Sequence, residues 1–377
     1  MPSRFTIVFV LSVLGALHAW IGWRILPALG LDAAWQALGA ALLVLSYFLI
    51  PAGLLARGIK QQPLSDRLAW IGMLVMGLFS SLLLLTIVRE IGLLLLPLLG
   101  AVTPDVVESS AWAVPGCALL LTVVGYANAR RLAAVVEVEV PIANLPHALH
   151  GFTIVQISDI HVGPTIKRNY LNAIVDKVNS LQADMVAITG DLVDGSVQQL
   201  SEHTAPLAQL RARHGAYFVT GNHEYYSNAH AWIEEIRRLG LTVLMNEHVV
   251  LNHGGAPLVL AGVTDFTAHH FDELHRSDPH AAILNAPVSA AKVLLAHQPR
   301  SAAAAADAGF DLQLSGHTHG GQFFPWNFFV PLQQPYVAGL NRLKNLWVYT
   351  SRGTGYWGPP KRLLAPSEIT RLRLVSA

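Results

Sequence analysis

The segment from Phe152 to His161 reads Phe-Thr-Ile-Val-Gln-Ile-Ser-Asp-Ile-His, an apolar run that ends in an aspartate and a histidine. Four later segments follow the same plan, in which a short apolar run, typical of a buried strand, precedes a group of polar side chains. They are Met185 to Ile188 before Thr189 to Asp194, Tyr217 to Val219 before Thr220 to Glu224, Lys292 to Leu295 before Ala296 to Pro299, and Leu312 to Leu314 before Ser315 to Gln322. Because ligands gather at the carboxyl ends of strands in α/β sheets, the pattern predicts an α/β domain with a site at these strand ends.

The polar groups supply nitrogen and oxygen donors of the kind that bind metal ions. Glycines beside them permit turns with positive φ, which would let side chains from neighbouring strand ends converge. Asp159 and His161, like His317 and His319, are two residues apart and share a face only in extended backbone. Alone, each would be an ordinary strand-end or turn residue, so the prediction depends on their joint occurrence. The seven candidates exceed what one four-coordinate ion needs and suit two ions that share a carboxylate. They are Asp159, His161, Asp191, Asn222, His297, His317 and His319.

The composition divides the chain into two parts. Hydrophobic residues make up 53 % of the 377 residues and charged residues only 13 %, well below the roughly 25 % of soluble domains. Of the 17 histidines, 16 follow residue 132. The net charge of +1 gives no overall attraction to nucleic acid, so no nucleic-acid partner is expected. The single cysteine, Cys117, excludes a disulfide within the chain and a thiolate metal cluster.

Four charge-free apolar runs in the first part are long enough to cross a bilayer, which needs about 20 residues. They lie at 5–23, 33–56, 68–88 and 109–129. A shorter run at 91–104 is interpreted as an extension of the third span or as an interfacial segment. A secretory signal is the alternative for the first run, and the three later spans favour a retained anchor. We therefore predict a transmembrane domain at 1–132 and a globular domain at 133–377 that begins with an alternating strand from Val135 to Val140.

Basic residues at the span ends predict the orientation of the chain. With four spans, both termini lie on one side of the membrane, and that side carries six basic residues against Arg24 and Arg89 on the other. The six are Arg4, Arg57, Lys60, Arg67, Arg130 and Arg131. By the positive-inside bias, both termini and the globular domain are expected on the cytoplasmic side of the cell membrane.

The five polar segments resemble the motifs of the calcineurin-like metallophosphoesterase superfamily. The matching motifs are Asp159-x-His161, Gly190-Asp191, Gly221-Asn-His-Glu224, Ala296-His297 and Gly316-His-x-His319. The strings Gly316-His-Thr-His-Gly-Gly-Gln322 and Gly353-Thr-Gly-Tyr-Trp-Gly-Pro359 are similar to its membrane-anchored bacterial subgroup. That subgroup includes enzymes like UDP-2,3-diacylglucosamine pyrophosphatase and related phosphodiesterases. The resemblance covers roughly residues 145 to 377 and implies a calcineurin-like two-sheet β-sandwich flanked by helices.

The resemblance also implies a role for each candidate residue. A first divalent ion would be bound by Asp159, His161, Asp191 and His319, and a second by Asp191, Asn222, His297 and His317. Manganese, iron or zinc would suit these donors. Two such ions would neutralise the phosphoryl oxygens and lower the pKa of a bridging water, which supplies hydroxide at neutral pH. His223 is the candidate proton donor to the leaving oxygen, and Asp194 is the candidate carboxylate that orients it.

Three residues in a Gly- and Pro-rich loop after the predicted strand Trp347 to Thr350 are candidates for substrate contact, together with Asn222. They are Arg352, Tyr356 and Trp357, and Arg362 lies in the same loop. A packed surface loop is the alternative interpretation. The aromatic residues Trp326, Phe328 and Phe329 are expected either to enter the membrane surface or to pack in the core.

The predicted function is hydrolysis of a phosphodiester, phosphomonoester or pyrophosphate by a membrane-bound enzyme. A lipid-linked phosphate is the expected substrate, because the anchor confines the domain to the bilayer surface. One alternative is the same chemistry on a soluble substrate such as a cyclic nucleotide or a phosphoprotein. Another is a non-catalytic membrane receptor with a degenerate phosphoesterase domain, but every expected metal donor is present, which favours an enzyme.

Overall fold

The chain folds into two compact units. The computed structural model describes residues 3–59, 61–99 and 102–377. The helical unit holds the residues up to Ala127 together with Gly358–Lys361. The α/β unit holds Asn128–Trp357 together with Arg362–Ala377.

Four long helices build the helical unit. They are α1 (Arg4–Ile25), α2 (Ala33–Leu55), α3 (Gln62–Leu95) and α4 (Pro104–Arg130). Ser3 and Asp32 cap the first two, because their side chains accept hydrogen bonds from backbone N–H groups of the first turn. The third helix continues without a break to Leu95, so the beginning of the run at 91–104 extends it as predicted. Residues 100 and 101 of that run lie outside the described residues.

The surface of these helices supports a membrane location. All four are long and apolar enough to cross a bilayer. Large apolar side chains project outward from them, including Phe5, which is 81 % exposed, and Trp23, which is 69 % exposed. An apolar surface of this extent is unfavourable in water and favourable in lipid. Lys60, one of the six basic residues counted for the orientation, lies outside the described residues.

The α/β unit contains two six-stranded sheets. Its strands are β1 (Ala134–Ile142), β2 (Thr153–Ile157), β3 (Met185–Thr189), β4 (Ala216–Val219), β5 (Thr242–Val243), β6 (Glu247–His253), β7 (Ala256–Gly262), β8 (Ala291–Leu295), β9 (Leu312–Ser315), β10 (Gly339–Leu343), β11 (Leu346–Thr350) and β12 (Glu368–Ser376). Its helices are α5 (Arg168–Ser180), α6 (Val197–Thr204), α7 (Asn222–Tyr226), α8 (Ala229–Arg238), α9 (Pro279–Ala282) and α10 (Ala302–Ala308).

The strand order places the predicted strands side by side. The first sheet runs β1-β12-β2-β3-β4-β5 and the second runs β10-β11-β9-β8-β7-β6. Within them, β2, β3 and β4 are parallel neighbours, and so are β7, β8 and β9. The five strands predicted before polar segments are confirmed to within one residue at each end. Their carboxyl ends therefore meet at one edge of each sheet.

Alternation along the strands divides the core into layers. Ile154 of β2 packs with Leu260 of β7 and Leu314 of β9 in the core between the sheets. The next residue, Val155, packs on the other face with Ile174 of α5 and Ile236 of α8. Successive side chains of a strand point to opposite faces, so a fully apolar strand packs into both core layers. This arrangement confirms the predicted two-sheet α/β fold with helices outside.

Candidate metal centre

The seven predicted metal-binding residues lie together after the carboxyl ends of five strands, three in the first sheet and two in the second. We call this set the central cluster. Its members are Asp159 and His161 after β2, Asp191 after β3, Asn222 after β4, His297 after β8, and His317 and His319 after β9. The first sheet thus supplies four of them and the second sheet supplies three.

Asp159, His161 and His319 form one group of donors, in which one ligand atom of each residue lies within 4.8 Å of the others. The Nε2 atoms of His161 and His319 are 3.1 Å apart. The Nε2 atom of His319 is also 3.4 Å from Oδ1 of Asp159. All three side chains are buried. Two ring nitrogens and a carboxylate oxygen therefore point toward one position.

Asp191, His297 and His317 form a second group with the same spacing. Nε2 of His297 lies 3.1 Å from Oδ2 of Asp191 and 3.2 Å from Nδ1 of His317. Nδ1 of His297 lies 2.7 Å from the carbonyl oxygen of Thr189, to which it donates. This hydrogen bond fixes the tautomer and leaves a lone pair on Nε2, the arrangement that metal-binding histidines use.

Backbone hydrogen bonds join the two groups. The N–H of His161 donates to the carbonyl of Asp191 over 3.1 Å. In the other direction, the N–H of His317 donates to Oδ1 of Asp159 over 2.9 Å. His317 and His319 therefore serve different groups although they are two residues apart, whereas Asp159 and His161 serve the same one. The two groups form one continuous site.

Asn222 provides the test of whether this site fits metal ions. Its side chain is buried, and among the described residues its Oδ1 atom has no hydrogen-bond donor. Leaving a buried amide oxygen unpaired costs about 1–3 kcal/mol, and coordination of a cation would remove that cost. The other six donors are imidazole nitrogens and carboxylate oxygens, which suit divalent transition metals. The donor set therefore fits the divalent metal ions that the resemblance implies.

His223 lies beside the central cluster and is held by Asp194. Its Nδ1 atom is 2.5 Å from Oδ1 of Asp194, and the same oxygen is 3.4 Å from Nδ1 of His161. Burial lowers the pKa of His223, but the charge of Asp191 and the hydrogen bond with Asp194 outweigh it and raise the pKa to about 9. The sequence-based pairing of His223 with Asp194 thus corresponds to a direct hydrogen bond. The other ring nitrogen of His223, Nε2, lies 4.0 Å from Oδ2 of Asp191 and so faces the central cluster.

The backbone of the central cluster is strained. Five of its residues have a left-handed φ that non-glycine residues rarely adopt: Asp159, His161, Asp191, His317 and His319. Such positions cost of order 1–3 kcal/mol each and concentrate at functional sites. We expected the glycines to supply the positive φ, and Gly190 does so. Gly316 has another role, because a Cβ atom there would lie 2.1 Å from Oδ2 of Asp159.

Glu224 is a site residue that the sequence reasoning missed. Its buried carboxylate accepts hydrogen bonds from the N–H groups of Gly221, Asp191, Leu192 and Val193 at 2.6, 3.0, 2.8 and 3.3 Å. It thereby fixes the loops that carry Asp191 and Asn222. The available signal was its position at the third residue of α7, where a glutamate bonds back to the helix start.

The loop residues predicted to contact substrate differ in their environment. Trp357 is 50 % exposed, and its ring centroid lies 5.7 Å from that of His223. Arg352 is partly exposed and pairs with Glu368 over 2.7 Å. Tyr356 is 1 % exposed and packs in the core, where its hydroxyl donates to the Thr165 carbonyl, so the prediction that it contacts substrate is corrected.

Arg362 of the same loop is also a structural residue. It is 1 % exposed, and its guanidinium donates to the backbone carbonyls of His319 over 3.0 Å and Arg352 over 2.7 Å. These bonds connect the loop to the backbone of the central cluster. Arg362 therefore holds the backbone of His319 in place.

Comparison with known proteins also indicates a metallophosphoesterase. A family model described as calcineurin-like phosphoesterase matches residues 152–321. A protein of Bos taurus named "Transmembrane protein with metallophosphoesterase domain" is 42 % identical over 270 residues, which cover 68 % of this chain and 61 % of that protein. An uncharacterized metallophosphoesterase of Aquifex aeolicus is 33 % identical over 218 residues, covering 57 % of this chain and 82 % of that protein. YkuE, an uncharacterized metallophosphoesterase of Bacillus subtilis, is 30 % identical over 241 residues, covering 62 % of this chain and 82 % of that protein.

The matches cover different fractions of the relatives' lengths. This chain spans 61 % of the length of the bovine transmembrane relative and 82 % of each of the two bacterial relatives. The region matched by the family model, residues 152–321, contains strands β2 to β9, the five motifs and all seven residues of the central cluster. The chain belongs to the calcineurin-like metallophosphoesterases, a family of metal-dependent phosphoric-ester hydrolases.

Proposed function

We propose that this chain hydrolyses a phosphodiester, phosphomonoester or pyrophosphate at a membrane surface, with two divalent metal ions bound in the central cluster. The observation that carries the proposal is the pair of adjoining donor groups. Asp159, His161 and His319 make one group, and Asp191, His297 and His317 make the other. Among the described residues, the buried Oδ1 atom of Asn222 accepts no hydrogen bond. Seven donors in one buried site are more than a single ion uses.

The two ions would share Asp191. Asp159, His161, Asp191 and His319 would bind the first, and Asp191, Asn222, His297 and His317 would bind the second. Manganese, iron or zinc suits this set of imidazole, carboxylate and amide donors. When bound, the ions would neutralise the phosphoryl oxygens of the substrate and lower the pKa of a water molecule, so that the nucleophile comes from solvent.

His223 would act as the proton donor to the leaving oxygen. Its Nδ1 atom is bound to Asp194, which fixes the ring and leaves Nε2 to face the substrate. A proton donor at this position typically contributes a factor of about 10²–10⁴ to the rate. Asp194 is a positioning residue in this proposal, because it acts through His223 and contacts no substrate.

Trp357 and Arg352 would line the path of the substrate. The exposed ring of Trp357 beside His223 offers an apolar surface for the leaving group. Arg352 keeps part of its side chain exposed while Glu368 holds one nitrogen, so it offers a positive charge in a fixed place. Asn222 would contact both metal and substrate, whereas Tyr356 is buried and would not reach the substrate.

A lipid-linked phosphate is the proposed substrate class. The four apolar helices confine the chain to the bilayer, where lipid substrates are already concentrated. Trp326, Phe328 and Phe329 are 49, 66 and 52 % exposed, which favours insertion in a membrane surface over packing in the core. The α/β unit is proposed to lie on the cytoplasmic side of the cell membrane, following the basic residues at the span ends.

A metal-reconstituted activity screen tests the proposal. The full chain in detergent would receive Mn²⁺, Fe²⁺ or Zn²⁺ and then be assayed on lipid-linked and soluble phosphoesters, including a UDP-diacylglucosamine-type lipid, a cyclic nucleotide and a phosphoprotein. We expect metal-dependent turnover with a preference for the dispersed lipids. The Asn222→Ala variant, purified in parallel, separates turnover by this chain from a contaminant.

The screen also decides between the alternatives. Equal turnover of soluble and lipid substrates would contradict the lipid preference and favour a soluble substrate. Turnover that is identical in wild type and Asn222→Ala would contradict the proposed site. No turnover of any phosphoester, with metals bound, would favour a non-catalytic receptor.

A further inference from the structure

A second group of donors lies on the α/β unit, outside the central cluster. His230 lies in the first turn of α8, Asp272 precedes a short turn at Glu273–His275, and His275 is the last residue of that turn. One donor atom from each residue lies within 4.8 Å of the others. We call these three residues the peripheral cluster, and we propose that they form a binding site for a divalent transition metal ion such as Zn²⁺.

The distances are close to those that a tetrahedral ion requires. Oδ2 of Asp272 is 3.0 Å from Nε2 of His230 and 4.0 Å from Nε2 of His275. With zinc–ligand bonds of about 2.0–2.2 Å, tetrahedral donors lie roughly 3.3 Å apart. The observed separations lie on either side of this value, so an ion would draw Asp272 and His275 together and move Asp272 and His230 slightly apart. The ring centroids of the two histidines are already 4.8 Å apart.

Neighbouring groups hold two of the three donors in place. Oδ1 of Asp272 accepts the N–H of Leu274 over 3.0 Å, which directs Oδ2 toward both imidazoles. Nδ1 of His275 lies 2.9 Å from the hydroxyl of Tyr225, which leaves Nε2 on the side of Asp272. A hydrogen bond to the far nitrogen is the usual way in which proteins orient a metal-binding histidine.

The chemistry of the donors selects the class of ion. Two imidazoles and one carboxylate suit zinc and other divalent transition metals, whereas magnesium and calcium prefer all-oxygen sites. A cavity of about 310 Å³ opens beside the peripheral cluster and is lined by His230 and His275. It leaves room for a fourth ligand, which can be water or the carboxylate of Glu234, another lining residue. The proposed site is therefore open on one side.

Binding of an ion here would fix the segment from Ala268 to His275 against α8. Phe271 of that segment contacts the ring of Tyr226 at a centroid distance of 5.6 Å. Tyr226 in turn contacts the ring of His223 at 5.2 Å. An ion at the peripheral cluster would thus stabilise the packing around His223 without binding substrate.

Counting metal ions in the full chain tests this site. Purified protein in detergent would be saturated with Zn²⁺, freed of unbound ion and analysed by mass spectrometry for metal per chain. We expect His230→Ala and His275→Ala to contain one zinc equivalent less than wild type. His270→Ala is the matched control, because His270 is an exposed histidine of the same segment outside the peripheral cluster. Its zinc content should equal that of wild type.

The count does not depend on the proposed function, because the central cluster is unchanged in all these proteins and its ions cancel in the difference. A loss of zinc in His230→Ala would not reflect misfolding, because the His230 side chain is 67 % exposed and its removal should leave the fold intact. A second readout is amide hydrogen exchange, which zinc should slow in residues 268–275 of wild type and leave unchanged in His230→Ala. Equal zinc content in wild type and both variants would show that the peripheral cluster binds no zinc. His230 and Asp272 would then form only a hydrogen bond with each other. A matching loss in His270→Ala would also overturn the site.

Discussion

The central and peripheral clusters contain the same kinds of side chain in different surroundings. In the central cluster, Asp159 is 0 % exposed and has a left-handed φ of 53°. In the peripheral cluster, Asp272 has an ordinary extended φ of −147°, and its partner His230 is mostly exposed. Burial and strained backbone fix donors in advance, as catalysis requires, whereas relaxed surface donors can adjust to an ion. The contrast supports the catalytic role proposed for the first cluster and the structural role proposed for the second.

The largest expected effect comes from the residue that the two proposed ions share. Asp191→Asn removes the carboxylate charge that the two proposed ions would share, so hydrolysis of bis(p-nitrophenyl) phosphate should fall by on the order of 10³-fold or more. Metal content should also fall, while circular dichroism shows a folded chain. Activity within tenfold of wild type would exclude Asp191 as a ligand of the proposed metal centre. It would also contradict the proposed difference in role between the two clusters.

A smaller, substrate-dependent loss is expected for His223→Gln. The variant cannot protonate the leaving oxygen, so turnover of an alkyl phosphodiester should fall by about 10²–10⁴-fold. A p-nitrophenyl ester serves as the internal control, because its leaving group needs no proton and should be cleaved at nearly the wild-type rate. Metal content should be unchanged. Full activity on the alkyl ester would exclude His223 as the proton donor.

Asp194→Asn should give a weaker version of the same pattern. The amide keeps the size of the side chain but loses the charge that holds His223 over 2.5 Å. Removal of such an orienting partner typically costs about 10–100-fold. The loss should again be confined to esters with poor leaving groups, measured as kcat on matched alkyl and p-nitrophenyl substrates. An equal loss on both would show that Asp194 supports the metal site through His161, whose Nδ1 is 3.4 Å away.

The central cluster was predictable from the sequence because its information is local. Each donor follows a short apolar run. Parallel strands bring the ends of such runs together, irrespective of the length and path of the loops between them. The sheet pattern followed from this rule, whereas the pairing of Asp159 with His161 at one ion was implied by the family resemblance. The strained backbone of the donors did not, since it depends on contacts such as that of Gly316 with Asp159, between residues far apart in the chain.

Other features were unpredictable because they depend on the path of a loop. Tyr356 and Trp357 are adjacent in a Gly- and Pro-rich segment, yet the first is buried in the core and the second is half exposed beside His223. Composition does not show which of two neighbouring aromatic residues turns inward. The peripheral cluster has the same property, because His230 and Asp272 are 42 residues apart and follow no strand.

The smallest effect on activity is expected from the peripheral cluster. His275→Ala removes a donor that acts on His223 indirectly, through the packing of Tyr225, Phe271 and Tyr226. Its loss of turnover should therefore stay below the roughly 10-fold lower limit for direct partners of a catalytic site. The loss should appear as a lower kcat on alkyl esters and be greatest in the zinc-loaded enzyme, because zinc-free wild type lacks the same contact. His270→Ala provides the baseline. If His275→Ala loses as much activity as Asp194→Asn on both classes of ester, the peripheral cluster takes part in the chemistry, and the division between a strained catalytic site and a relaxed structural site fails.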